Sequence, residues 1–243
     1  MRLVIPADKR VILALDVDNK RAAIDAVTLL RDYVGAFKIG FELFVSEGPS
    51  VVEAVVGAGG MVFLDLKYHD IPNTVAQASR SAVRLGSAFF DVHASGGRAM
   101  MTAAAEAARK ESEAMGVPEP ISLAVTVLTS LDSRDLSEDL GIGRTPEEQV
   151  VALARLAKAC GMGGVVASPK EVAAIRNAIG PDFVIVTPGV RPSWSATDDQ
   201  KRFSTPAQAV RDGADYLVIG RPILKAADPV EAAGRIIEEL KEA

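Results

Sequence analysis

Apolar residues in this chain gather into short, nearly continuous runs, and the stretches between them carry hydrophobic positions at helical spacing. The runs are VILALDV (11–17), AFKIGF (36–41), MVFLDLK (61–67), FFDVHA (89–94), ISLAVTVL (121–128), GVVAS (164–168), FVIVTPG (183–189) and YLVIGR (216–221). Helical spacing marks 20–33, 74–85, 147–159, 170–179 and 205–211. Strands that are apolar throughout belong to parallel sheets covered on both faces, and eight strand–helix units in about 250 residues match an α/β (β/α)8 (TIM) barrel. A doubly wound open sheet is the alternative. No Gly-, Pro- or Ser-rich linker and no charge block divides the chain, which predicts one domain over residues 1–243.

Barrel active sites collect where the strands end at their C-terminal edge, and the polar residues of the apolar runs obey that rule. Asp16 closes the first strand, Lys38 sits late in the second, Asp65 and Lys67 end the third, and Asp91 and His93 end the fourth. The opposite ends are expected to be bland. Side chains two apart share a strand face, so Asp65 and Lys67 point into the barrel mouth while Val62, Leu64 and Leu66 meet the helices. By the same parity Asp16 shares its face with Ile12 and Ala14, and Lys38 opposes Phe37 and Ile39. Three strands thereby deliver charges to one mouth. An isolated carboxylate there would tend to take up a proton, and Asp65 stays ionised only with Lys38 and Lys67 as neighbours.

The seventh and eighth runs end in TPGVR and IGRP. Gly189 and Gly220 let backbone N–H groups approach an anion closely, and Arg191 and Arg221 supply charge-assisted donors suited to phosphate. Between them the polar connection 190–203 is long enough to act as a lid. Gln200 is a lid candidate, and Trp194 suits a lid or a surface anchor on a neighbouring helix equally well.

Composition narrows the partners. A net charge of −5 and a pI near 5.2 disfavour nucleic acid as a ligand. The longest charge-free run, 120–131, is too short to span a membrane. A single cysteine, Cys160, forms no internal disulfide and reads as a buried small residue, and nothing like a signal peptide precedes the first strand, so a cytoplasmic setting is expected. His69 and His93 read as hydrogen-bonded structural residues, and no metal site is expected.

Taken together, LALDV around Asp16, FKIG around Lys38, DLKYHDIPNT (65–74), VHASGG (92–97), TVLTS (126–130), TPGVRP (187–192), DDQ ending at Gln200 and VIGRPI (218–223) resemble the orotidine 5′-phosphate decarboxylase family over nearly the whole chain. The resemblance implies decarboxylation of orotidine 5′-monophosphate to UMP and CO2 without a cofactor. It makes Lys67 the proton donor to C6 and completes an alternating charge array with Asp65, Lys38 and Asp70. It also implies a homodimer in which Asp70, Ile71 and Thr74 serve the partner's site. Asp16 and Lys38 would hold the ribose, Thr129 would meet the pyrimidine, and Arg191, Gln200, Gly220 and Arg221 would serve the phosphate and the closed lid. Two rival readings are a metal-dependent decarboxylase of a keto-sugar phosphate on the same scaffold and a non-catalytic sensor of a phosphorylated ligand.

Overall fold

A computed structural model describes residues 5–195 and 204–243. Eight parallel strands close on themselves in chain order, with β8 pairing back to β1. They are β1 (Val11–Ala14), β2 (Ala36–Ile39), β3 (Val62–Tyr68), β4 (Ser87–His93), β5 (Ile121–Val125), β6 (Gly164–Val166), β7 (Val184–Pro188) and β8 (Tyr216–Ile219). Closure excludes the open doubly wound sheet.

The expected helical segments appear as α1 (Lys20–Leu30), α4 (Pro72–Arg84), α6 (Pro146–Ala159), α7 (Val172–Ile179) and α8 (Pro206–Asp212). Five further helices lie where the eight strand–helix units require helix but no span is named above: α2 (Phe41–Glu47), α3 (Ser50–Gly57), α5 (Gly97–Met115), α9 (Arg221–Leu224) and α10 (Pro229–Lys241). Chemical signals accompany their periodicity, which in α10 buries Ala232, Ala233, Ile236 and Leu240 on one face. The α5 segment is rich in Ala, Glu, Lys and Arg, all strong helix formers, and ends at Gly116 in a left-handed conformation. At α10 the Asp228 side chain caps the backbone N–H groups of Val230 and Glu231, with Pro229 in the first turn.

Strand parity separates two cores. Ile12, Ala14, Ala36, Phe63, Phe89, Leu123, Val184, Val186 and Val218 fill the barrel interior. The alternate residues, Leu13, Phe37, Leu64, Phe90, Val165 and Leu217 among them, pack outward with the helices. Edge-to-face contacts of Phe89 with Phe63 and Tyr216, at centroid separations of 6.0 and 5.2 Å, help to floor the mouth. The barrel is therefore a packed plug with its chemistry confined to one end.

The opposite end is not bland. Arg176 on α7 donates to the carbonyls of Gly180, Phe183 and Gly213 and to Asp215 Oδ2 at 2.7 Å, and that same oxygen accepts the Ile185 N–H. The guanidinium satisfies backbone carbonyls at the entries to β7 and β8, a role that helical spacing alone could not announce. Asp215 is 3% exposed. Asp215→Ala should therefore destabilise the fold by about 3–5 kcal/mol, because it leaves a largely buried cation and a backbone donor uncompensated. Equilibrium urea unfolding measures the loss, and a change below about 1 kcal/mol would contradict this account.

Candidate active site

The polar residues at the C-terminal strand ends converge. Lys38 extends from the inward face of β2, and its Nζ lies 3.2 Å from Asp65 Oδ2 and 4.0 Å from Asp16 Oδ1. The Lys67 ammonium is hydrogen-bonded to the other oxygen, Asp65 Oδ1. Asp65 is thus held between two cations. Burial opposes its ionisation, but Lys38, a contact with the Asp91 carboxyl, and Lys67 outweigh that penalty and hold it below the usual carboxylate range.

Asp16 differs from expectation in one respect. Strand β1 stops at Ala14; Leu15 still donates its N–H to the Lys38 carbonyl, and Asp16 then lies in the following loop with its side chain 58% exposed. Loss of the ladder frees Asp16 to approach β8, where a Cβ placed on Gly220 would sit 3.1 Å from its Oδ2. The absence of a side chain at Gly220 keeps that approach open.

Lys67 has a backbone φ of +44°, the only positive value for a non-glycine among the described residues. The left-handed region is costly for a residue with a Cβ. It occurs where the β3–β4 register slips: Leu64 pairs with Phe90 and Tyr68 with Val92, so four steps along β3 span two along β4. The Lys67 N–H is instead accepted by Asp91 Oδ1 at 2.7 Å.

Beyond β3, Asp70 turns outward. Its Oδ1 accepts the N–H of Ile71 at 2.6 Å, and Asp70, Ile71 and Thr74 are all exposed. Ile71 is extended and Pro72 opens α4, in agreement with the bar that proline places on helix at the preceding residue. Among the described residues no ion pair joins Asp70 to Lys67 or Lys38, so within one chain the array is Lys38–Asp65–Lys67, with Asp16 at its edge.

A cavity of about 270 Å3 stands over this array, lined by Lys38, Asp65, Lys67, Val127, Thr129 and Pro188 among others. A second, of about 450 Å3, is lined by Arg191, Trp194, Ser195, Arg221, Pro222 and Lys225. The two arginines thus face one space at the ends of β7 and β8. Gly189 takes the left-handed conformation, φ +75°, and the base of the following loop is tied by Arg191 N–H to the Ser204 carbonyl. Gln200 lies outside the described residues. Trp194 packs as an anchor: the Arg235 guanidinium of α10 sits 4.3 Å from its ring centroid. Cys160 is buried, with Sγ 3.7 Å from the Arg98 carbonyl. The His69 and His93 rings lie 5.4 Å apart, and burial, then His69 and Lys67, lower the His93 pKa.

Two site residues carry no role in the sequence reading. Asp91 is buried beneath the array, and its position on the Phe89 face of an apolar strand is a signal that parity could have supplied. Phe41 places its ring centroid 5.9 Å from Lys67 Nζ, which no local pattern announces.

The arrangement can be compared with known proteins. Residues 9–236 match the model of the orotidine 5′-phosphate decarboxylase / HUMPS family. The chain belongs to that family. It is 54% identical over 237 residues to the orotidine 5′-phosphate decarboxylase of Syntrophomonas wolfei, covering 97% of this chain and 99% of that protein. Identity to the decarboxylase of Trichlorobacter lovleyi is 57% over 234 residues, 96% of each chain. The crystal structure of orotidine 5′-phosphate decarboxylase from Lactobacillus acidophilus superposes with a TM-score of 0.85 at 38% identity, over 96% of this chain and 99% of that one. Family membership and the closed barrel therefore agree with each other.

The strain at Lys67 has a measurable consequence. Glycine occupies the left-handed region freely, whereas alanine there costs about 1–2 kcal/mol, partly offset by the greater unfolded-state entropy of glycine. Lys67→Gly should accordingly be more stable than Lys67→Ala by about 1 kcal/mol in urea unfolding. The reverse order would place Lys67 in an ordinary strand conformation.

Proposed function

We propose that the chain decarboxylates orotidine 5′-monophosphate to UMP and CO2 and that Lys67 supplies the proton. The bond from C6 to the carboxyl carbon breaks, its electron pair remains on C6, CO2 departs, and the Lys67 ammonium protonates C6; the amine then recovers a proton from solvent. The observation that carries this reading is the alternation of Lys38, Asp65 and Lys67 in the barrel mouth beside an arginine-lined cavity.

Electrostatics explains the need for the array. A pyrimidine C6 carbanion is poorly delocalised, and enzymes lower such barriers by about 8–23 kcal/mol. A cation about 4 Å from the developing charge contributes ~4 kcal/mol at an effective dielectric of 20. One lysine falls short of the requirement. The remainder comes from a fixed array that needs no reorganisation, and from phosphate binding energy used to hold a closed, water-excluding site. In this reading Arg191, Arg221, the Gly220 backbone and Gln200 serve the phosphate, Asp16 and Lys38 the ribose, and Thr129 the pyrimidine.

The exposure of Asp70, Ile71 and Thr74 at the edge of the mouth supports a two-fold dimer in which each chain completes the other's array. The reading makes the enzyme a cytoplasmic one that works without a metal or cofactor.

Release of CO2 from orotidine 5′-monophosphate by the purified protein, unchanged after EDTA treatment, tests the activity. Strict metal dependence would favour a keto-sugar phosphate decarboxylase instead, and binding without turnover would favour a sensor. Lys67→Ala should retain UMP affinity within a few-fold while kcat falls by more than about 10^4-fold, because proton transfer and charge stabilisation are lost together. Near-normal turnover would remove Lys67 as the donor.

Subunit mixing tests the shared site. Lys67→Ala and Asp70→Ala proteins should each be nearly inactive. After exchange of equal amounts, roughly half the dimers are mixed, and each holds one intact site, so activity should recover to about a quarter of wild type. No recovery after demonstrated exchange would mean that Asp70 serves its own chain.

A further inference from the structure

Asp91 is 1% exposed on the inward face of β4, directly behind the residues assigned above to catalysis. Both of its oxygens are informative. Oδ1 accepts the Lys67 backbone N–H at 2.7 Å, at the bulge where Lys67 is forced to a φ of +44°. Oδ2 is buried with no hydrogen-bond partner, and the Asp91 side chain interacts with that of Asp65. A buried carboxyl oxygen without a donor is costly, and a second anion next to Asp65 more so. Both costs vanish when the unpaired oxygen carries a proton.

We propose that Asp91 is a positioning residue: its Oδ1 clamps the left-handed backbone of Lys67 and its Oδ2 backs Asp65 from the barrel interior, so that the strand bulge presents the Lys67 ammonium at one point in the mouth. The inference rests on the catalytic reading of Lys67 given above. Asp91 acts as the neutral acid. Burial, and then the Asp65 charge, push its carboxyl well above the usual carboxylate range, with Lys67 opposing only in part. The neutral form keeps Oδ1 as an acceptor and turns Oδ2 into a donor toward Asp65, the mirror of the contact that helps keep Asp65 ionised. Asp65 thereby takes its charge partners from the mouth, Lys38 and Lys67, and its neutral support from below. Without the clamp the Lys67 N–H loses its acceptor and only the side-chain bond to Asp65 opposes relaxation of the strained backbone toward the ordinary β region, which would carry the ammonium away from its place. A displacement of about 1 Å at a reacting group costs on the order of 100-fold in rate.

Two variants separate positioning from mere stability. Asp91→Ala removes both oxygens, and kcat should fall about 100-fold while UMP affinity, anchored remotely at the arginines, stays within a few-fold. Asp91→Asn keeps the Oδ1 acceptor and replaces the hydroxyl by an amide donor, and it should recover kcat to within about tenfold of wild type. Loss in Asp91→Asn equal to that in Asp91→Ala would show that the anion is required and overturn the neutral clamp. An Asp91→Ala enzyme of normal kcat would overturn positioning altogether. Should Asp91→Ala fail to fold, Asp91→Val fills the strand position with an apolar residue of similar size and takes its place. Hydrogen exchange of the Lys67 amide gives a readout independent of activity: slow in wild type and Asp91→Asn, and about 100-fold faster in the apolar variant. If the wild-type protein releases no CO2 from orotidine 5′-monophosphate, the proposed activity falls. The clamp is then judged on exchange alone, and rapid exchange of the wild-type Lys67 amide would overturn it.

Discussion

The mouth of this barrel is organised by one buried carboxylate. Asp65 lies among apolar strands where ionisation is unfavourable, and it stays charged because Lys38 approaches one oxygen from the neighbouring strand while Lys67 holds the other. Neither lysine could be placed there without it, since two ammonium groups converging on one dry site would repel. The three charges are mutually conditional. The site exists as a unit, and its geometry is inherited from the pairing of β2 with β3.

Closure of the sheet turns that pair into a site. The inward residues below the mouth, Phe63, Phe89, Leu123 and their neighbours, form a dry plug, so the charges sit on an apolar floor and face solvent only from above. The closed circuit also brings β8 next to β1, which sets Asp16 against Gly220 at the mouth. At the other end, Arg176 and Asp215 satisfy the backbone where β7 and β8 begin. One end of the barrel spends its buried polar groups on stability, the other on chemistry.

The bulge at Lys67 is where these demands conflict. A regular strand would satisfy the Lys67 N–H in the ladder; the slipped register gives it to the Asp91 carboxyl and places a side chain in a conformation that usually suits glycine. Strain of this kind persists only where the surroundings overdetermine it. Here they do so from both sides, through Asp91 beneath and Asp65 alongside.

Much of this was legible in the chain itself. Eight apolar runs with helical segments between them predict the barrel, and period-two parity puts Asp65 and Lys67 on the inward face and Leu64 and Leu66 on the outward one, because alternation along a strand is a local property of the backbone. The motifs around Lys38, Asp65, Lys67 and Gly220 likewise point to the family before any coordinate is known. Long-range and special-conformation features were not legible. The β2–β3 connection and the segment after β8 each break into two helices, which the eight-unit pattern does not announce, and the Arg176–Asp215 network joins residues 39 apart in the chain. The end of β1 before Asp16 depends on where its neighbours stop pairing. The left-handed Lys67 arises from a slip between two strands, and Asp91 acquires its partners only when β3 and β4 lie side by side. Local alternation decides which way a side chain points; only the closed barrel decides what it meets, because pairing across strands is a property of the whole sheet.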